Sequence, residues 1–292
     1  MNLRKANRRG LGNHRGFPLL VLVLITVIWG STFIVVKTSL DTVGPFILVA
    51  ARFWVAGLAL LAVFLLRRPA HTPGLLRDGA LTGLLLTAGF VTQTIGLQTT
   101  EASKAAFITG LSVVLVPLFT AVQLRRPPAR STVASVILAT VGLGLLTLDR
   151  SLRFTPGDLW VLACAAAFAL HILATGRFAP RHAVLPFTLV QVVTVAILAS
   201  LAALVFERDA LLPVADALPT ILYLGVVGTA CVFGAQTWSQ RHATPTRTAI
   251  IFSLEPVCAA LFAAIFAGEL LTPREWLGGT LILAGTVLAE LG

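Results

Sequence analysis

From residue 17 to residue 291 the chain passes through ten apolar stretches of about 20 residues, joined by short polar links. Each is long enough to cross a hydrocarbon core of about 30 Å as a helix. The stretches fall at 17–36, 45–66, 79–98, 105–124, 131–148, 158–176, 184–206, 217–240, 248–267 and 274–291. Only 12% of the residues are charged and 57% are hydrophobic, about half the charge usage of a soluble domain. The pattern predicts an all-α membrane protein of about ten transmembrane helices, with no link long enough for a soluble domain.

Charge sets the expected orientation. A basic tail, 1–16, carries Arg4, Lys5, Arg8, Arg9 and Arg15 and imitates the start of a signal peptide. The apolar run behind it continues to Val36 without a small-x-small cleavage site, so it reads as a retained first helix. With ten spans, the links on the side of the N-terminus hold Arg67, Arg68, Arg77, Arg125, Arg126, Arg130, Arg177, Arg181, Arg241 and Arg247. The opposite side holds Lys37, Lys104, Arg150, Arg153, Arg208 and Arg274, with most of the acidic residues. The positive-inside rule then places both termini in the cytoplasm of a multi-pass protein of a bacterial inner membrane. The net charge of +10 is thus explained by topology, and no nucleic-acid partner is implied.

Motifs for enzymatic chemistry are missing from the sequence. Cys164, Cys231 and Cys258 stand in separate apolar spans and read as small packing residues. There is no H-E-x-x-H, G-x-x-x-x-G-K-[ST], G-x-S-x-G or S-x-x-K. The expectation is a protein with no catalytic residue, metal or cofactor, whose partners are a small-molecule substrate and the lipid bilayer.

An internal repeat supplies the organisation. Laying 81–145 on 224–288 places Phe90 on Phe233, Gln93 on Gln236, Thr94 on Thr237, Leu111 on Leu254 and Gly142 on Gly285. A slightly shorter shift relates "IWGSTF" (28–33) to "AFALHI" (167–172) and "GPFIL" (44–48) to "LPFTL" (185–189). This predicts two five-helix repeats, 17–150 and 151–292. Five is odd, so the second repeat is inverted relative to the first, as in many secondary transporters. Pro117 and Pro256 interrupt corresponding spans, the fourth and the ninth, and are the expected hinge positions together with Glu255.

The stretches "WGSTFIVVK" (29–37), "ARFWVAG" (51–57), "TGLSVVLVP" (109–117), "SLEP" (253–256) and "GELLT" (268–272), in that order and spacing, resemble the drug/metabolite transporter superfamily and its EamA-type ten-helix members. The chain looks most like the aromatic amino-acid exporters among them, the YddG group. The resemblance implies a facilitator or exporter with a central cavity, cytoplasmic termini and alternating access between two five-helix halves. Where many relatives keep a tryptophan in the sixth span, this chain has "FA" (168–169).

Candidate cavity residues follow from polarity and position. Trp29 and Ser31 flank Gly30 beyond the midpoint of the first span, and Trp238 joins them as an aromatic candidate, although most of the tryptophans suit an interfacial belt. Gln93, Thr94, Gln236 and Thr237 can bond a substrate or neighbouring helices, and inversion makes them better gating layers than one joint site. Phe90 and Thr109 complete the set. His171 could titrate near neutral pH, but a bond to a backbone carbonyl is the favoured reading. Arg52 reads as snorkelling or as a structural ion pair ahead of a substrate-carboxylate anchor. For Glu255, pairing with Arg247 or a loop arginine is favoured over direct substrate contact. Gly142 and Gly285 mark the fifth and tenth spans as scaffold of a monomer or weak homodimer.

The functional expectation is an ATP-independent secondary transporter of small organic solutes, amino acids or related metabolites, with a cavity lined by the first, third, fourth, sixth, eighth and ninth spans. The alternatives within the same fold are a lipid-linked carrier flippase and a multidrug or other metabolite exporter. A membrane-embedded enzyme fits less well.

Overall fold

The computed structural model describes residues 16–40, 42–70, 72–148, 155–207, 217–266 and 271–291; the basic tail and most of "GELLT" lie outside them. The described secondary structure is helical throughout. In chain order the elements are α1 (Gly16–Ser39), α2 (Pro45–Arg67), α3 (Leu75–Leu97), α4 (Ala102–Gly110), α5 (Ser112–Leu124), α6 (Arg130–Thr147), α7 (Pro156–Phe178) and α8 (Val184–Phe206). Then come α9 (Leu218–Leu222), a π-helical stretch (Tyr223–Cys231), α10 (Val232–Ser239), α11 (Pro245–Phe252), α12 (Glu255–Phe266) and α13 (Pro273–Leu291). Eight rods are long and apolar enough to cross a membrane, with α4–α5 and α9–α10 each counting as one. The broken rod α11–α12 and the more charged α13 complete ten. Their outward faces are apolar: Leu66, Leu201 and Val287 are 84%, 54% and 57% exposed, a surface suited to lipid.

The packing has an approximate two-fold exchange symmetry. α3 lies on α7 as α10 lies on α1, and α3 lies on α8 as the π-helical stretch lies on α2. α4 and α5 pack on α7 as α11 and α12 pack on α1, while α2 with α8 and α6 with α13 are pairs that the exchange maps onto themselves. Each set holds five rods, so the two are related by inversion across the slab.

Loop contacts agree with alternate crossing. At the face opposite the start of α1, Lys37 at the end of α1 donates to the Leu97 carbonyl at the end of α3, 2.5 Å away. There too Lys104 meets Asp158 at 2.5 Å, and the Glu207 carboxylate caps α2 by accepting from the backbone N–H groups of Phe46 (3.0 Å) and Ile47 (2.8 Å). At the face where α1 begins, His182 Nε2 meets Asp78 at 3.0 Å.

Both interruptions are real, but one is displaced from its proline. α4 gives way to α5 at Leu111 (φ −61, ψ −11), and α11 gives way to α12 at Ser253 and Leu254, with Ser253 at φ −66, ψ −9. Leu111 and Leu254 are the residues that the internal repeat superposes. Pro117 lies inside α5 beyond the break and does not end the helix. Pro256 falls in the first turn of α12, where a backbone N–H has no intrahelical partner in any case, so it opens a helix and does not kink one.

The glycines matched by the repeat serve contact within the chain. α6 and α13 touch backbone to backbone: a Cβ on Gly278 would stand 2.6 Å from the Leu146 nitrogen and 2.7 Å from the Gly142 carbonyl oxygen. Between helices in lipid such close approach supplies dispersion that the hydrophobic effect does not. Gly278→Val is expected to destabilise the fold by about 1–3 kcal/mol, read as a lowered thermal unfolding midpoint in detergent. Gly279→Ala, whose Cβ would meet Val257 at an ordinary 3.6 Å, is expected to leave the midpoint unchanged or slightly raised.

Candidate functional site

The two breaks border a central cavity that, with its mouth, holds about 850 Å³ free of protein atoms. Helical stripes aim residues at it. Trp29, Thr32 and Val36 come from α1, and Leu86, Phe90, Gln93 and Leu97 from α3. Phe168, His171 and Ile172 come from α7, Phe233 and Gln236 from α10, and Phe252, Glu255 and Pro256 from the α11–α12 break. Thr109 and Ser112 flank the break at Leu111, and α2 contributes Arg52, adding a span to the six expected.

Aromatic rings form most of the wall. The Trp29 ring centroid lies 5.1 Å from that of Phe252 and 5.5 Å from that of Phe233. Phe90 packs against Phe168 at 5.5 Å and Phe233 at 5.9 Å, in edge-to-face geometry. Phe168 can occupy its place because the facing residue is Gly89, where a Cβ would stand 2.3 Å from the ring. Thus Phe168, the repeat counterpart of Trp29, lines the cavity.

Arg52 does not snorkel; it is 3% exposed. Its Nε donates to Thr229 Oγ1 at 3.1 Å and its Nη2 to the Gly228 carbonyl at 3.3 Å, both inside the π-helical stretch. Its guanidinium carbon lies 4.8 Å from the Phe90 ring centroid, a cation–π contact. Among the described residues no carboxylate pairs with it. Gly225 allows this approach of α2, since a Cβ there would strike Val55 and the Arg52 carbonyl.

Glu255 opens α12 and faces the same cavity. It makes no ion pair among the described residues, and the expected partner Arg247 sits at the other end of α11. His171 is bonded to a side chain and not to a backbone carbonyl: its Nε2 meets Gln191 Oε1 at 3.0 Å. Gln93 donates to Thr109 at 3.4 Å, and Gln236 donates to Gln240 at 2.9 Å. The two glutamines, expected in separate gating layers, line one cavity.

The remaining candidates point elsewhere. Ser31 bonds the Tyr223 hydroxyl at 2.5 Å, Thr94 donates back to the Phe90 carbonyl at 2.7 Å, and Thr237 accepts from Thr188 at 3.0 Å. Trp238 packs on Phe17 and His242 at 5.5 and 5.4 Å. Helix geometry explains these exclusions: once Trp29 and Gln236 face inward, Ser31 and Trp238, two residues on, lie about 200° around their helices. Phe168, Phe233 and Phe252 were missed, although Phe233 was legible as the repeat partner of Phe90. Cys164 is fully buried beside Thr109, while Cys231 is exposed on the outer face and is not a core residue. Among the described residues no cluster of His, Cys, Asp and Glu could hold a metal ion.

A ten-rod helical bundle with a central cavity between inverted halves defines a polytopic membrane protein. The chain belongs to the EamA-like transporter family, whose pattern matches residues 16–148 and again 155–291. It is 31% identical to an uncharacterized transporter of Archaeoglobus fulgidus over 96% of this chain and 88% of that one. It is 26% identical to a protein of Salmonella typhimurium named as a probable amino-acid metabolite efflux pump, over 92% and 93% of the two chains. A solved structure titled only as the crystal structure of a protein shares the fold, with TM-score 0.79 at 21% identity over 95% of this chain and 97% of that one.

Arg52 is not required to satisfy its neighbours. The Gly228 carbonyl also accepts from Trp29 Nε1 at 3.2 Å, and the Thr229 hydroxyl donates to the Leu224 carbonyl at 2.7 Å. Replacing a buried ion by an apolar side chain of similar volume is often neutral or stabilising. Arg52→Met is therefore expected to shift stability by less than about 1 kcal/mol, measured by thermal unfolding in detergent; collapse of the fold would mark Arg52 as a structural strut.

Proposed function

We propose that the protein is a secondary transporter of zwitterionic amino acids with neutral, preferentially aromatic side chains. The observation that supports this most is that one aromatic cavity presents a guanidinium and a carboxylate, Arg52 and Glu255, neither in a salt bridge. A zwitterion brings a counter-charge for each, its carboxylate to Arg52 and its ammonium to Glu255, and leaves its side chain to the rings. The name of the Salmonella relative points to the same chemistry. The aromatic preference also rests on the resemblance to the YddG group.

In this reading the halves rock about the breaks at Leu111 and Ser253–Leu254, exposing the cavity alternately to either side without ATP. Both termini face the cytoplasm of a bacterial inner membrane, in keeping with the excess of Lys and Arg on that side. The test is uptake of radiolabelled amino acids into proteoliposomes. Wild-type protein is expected to move tyrosine or phenylalanine faster than empty vesicles do. Arg52→Met and Glu255→Gln are each expected to lower the rate at least tenfold, the equivalent of about 1.4 kcal/mol or more. Uptake no faster than in empty vesicles rejects amino acids as substrates, and unchanged rates in both variants reject the two-charge site.

A further inference from the structure

The inner wall of the cavity holds an acceptor that the fold has fixed and left without a donor. Gln240 Nε2 donates to the Ile172 carbonyl at 2.9 Å, which fixes its amide orientation and turns Gln240 Oε1 into an acceptor. Gln236 Nε2 must then be the group that meets Gln240 Oε1, at 2.9 Å. Gln236 Oε1 is the atom left over. Flipping the amide would set two acceptors against each other, so the Ile172 backbone decides the assignment through two side chains. Gln236 is 1% exposed, and its Oε1 has no hydrogen-bond partner among the described residues. Of the buried side-chain atoms left unpaired among the described residues, it is the one that belongs to a cavity-lining residue.

A second relay acts on His171, which lines the same cavity. Gln191 Nε2 donates to the Phe187 carbonyl at 3.3 Å, so Gln191 Oε1 accepts, and His171 Nε2, 3.0 Å away, is the donor. In the neutral ring Nδ1 is then the acceptor, and it makes no hydrogen bond among the described residues. The two acceptors belong to neighbouring elements, since the Gln240 relay joins α10 to α7 at the residue following His171. The His171 and Phe233 ring centroids are 5.9 Å apart, which sets this polar patch at the edge of the aromatic wall.

A buried acceptor without a donor costs free energy until something supplies one. From this placement we infer that Gln236 Oε1, on the cavity that His171 also lines, is a specificity subsite for a neutral hydrogen-bond donor on the substrate's aromatic side chain, a phenol O–H or an indole N–H. The inference rests on the reading of Arg52 and Glu255 as the zwitterion site. Phe90, Phe168 and Phe233 line the same cavity as those charges and as Gln236, so the subsite requires the substrate's side chain to run along these rings toward Gln236. A plain benzyl side chain fills the same aromatic slot and leaves the acceptor unpaired. Sites built to hydrogen-bond a substrate group discriminate strongly against analogues that lack it.

The experiment is competition for transport in proteoliposomes reconstituted with the full-length wild-type protein. Tyrosine is expected to compete at a concentration about tenfold lower than phenylalanine or O-methyltyrosine, and tryptophan at one about tenfold lower than 1-methyltryptophan. Gln236→Leu is expected to shrink the tyrosine-to-phenylalanine preference about tenfold. Equal competition by tyrosine and phenylalanine in wild-type protein overturns the subsite while leaving amino-acid transport standing. A preference that survives Gln236→Leu overturns the assignment to Gln236. No competition by any of these amino acids overturns both the subsite and the zwitterion site. The wild-type comparisons need no variant to fold.

Discussion

In a hydrocarbon slab, backbone that leaves the helical ladder has to find partners within the protein or line a cavity. That constraint organises this molecule. The irregular segments buried in the bundle are the break at Leu111, the break at Ser253–Leu254 and the π-helical stretch Tyr223–Cys231, and all three border or support one cavity. The π-helical stretch supplies the Gly228 carbonyl to Trp29 and Arg52, so a departure from regular pitch serves as a docking point for two cavity residues. Away from this region the rods are regular, and several of their hydroxyls are occupied locally: Thr82, Thr87 and Thr120 donate to the carbonyl one turn back.

How much of this is legible in the sequence follows from the range of the interaction involved. Spans are legible because each apolar run reports its own length, and the ten rods fall where those runs fall. The repeat is legible because equivalent residues do equivalent work: Phe90 and Phe233 meet across the cavity, and Leu111 and Leu254 stand at the two breaks. Leucine is no helix breaker, however, and the only local mark of the break is Gly110 just before Leu111, a weaker signal than the proline in α5, which points to the wrong turn. Inward stripes such as Leu86, Phe90, Gln93 and Leu97 follow from helical period alone, and applying that period strictly excludes Ser31 and Trp238 once Trp29 and Gln236 are placed.

Arg52 marks the limit of local reading. From its own span it looks like a cation close enough to a helix end to reach water. What keeps it inside lies in a distant part of the chain, the carbonyl of Gly228 and the hydroxyl of Thr229. The same holds for Glu255, whose neighbours in sequence suggest Arg247 as a partner until the break after α11 turns the carboxylate to the cavity.

The remaining physical question is why Arg52 and Glu255, opposite charges on one cavity, do not pair and close it. Arg52 belongs to the first half and Glu255 to the second, and the guanidinium is held across the halves by uncharged partners: the Gly228 carbonyl and Thr229 hydroxyl of the second half, with the face of Phe90 from its own. Among the described residues these leave Nη1 without a hydrogen bond and Glu255 without an ion pair. On the proposed reading, a neutral wall could not hold a charged head group, and a bridged pair would have no need of one. Two opposite charges held apart in an aromatic wall are then complementary to a solute that carries both.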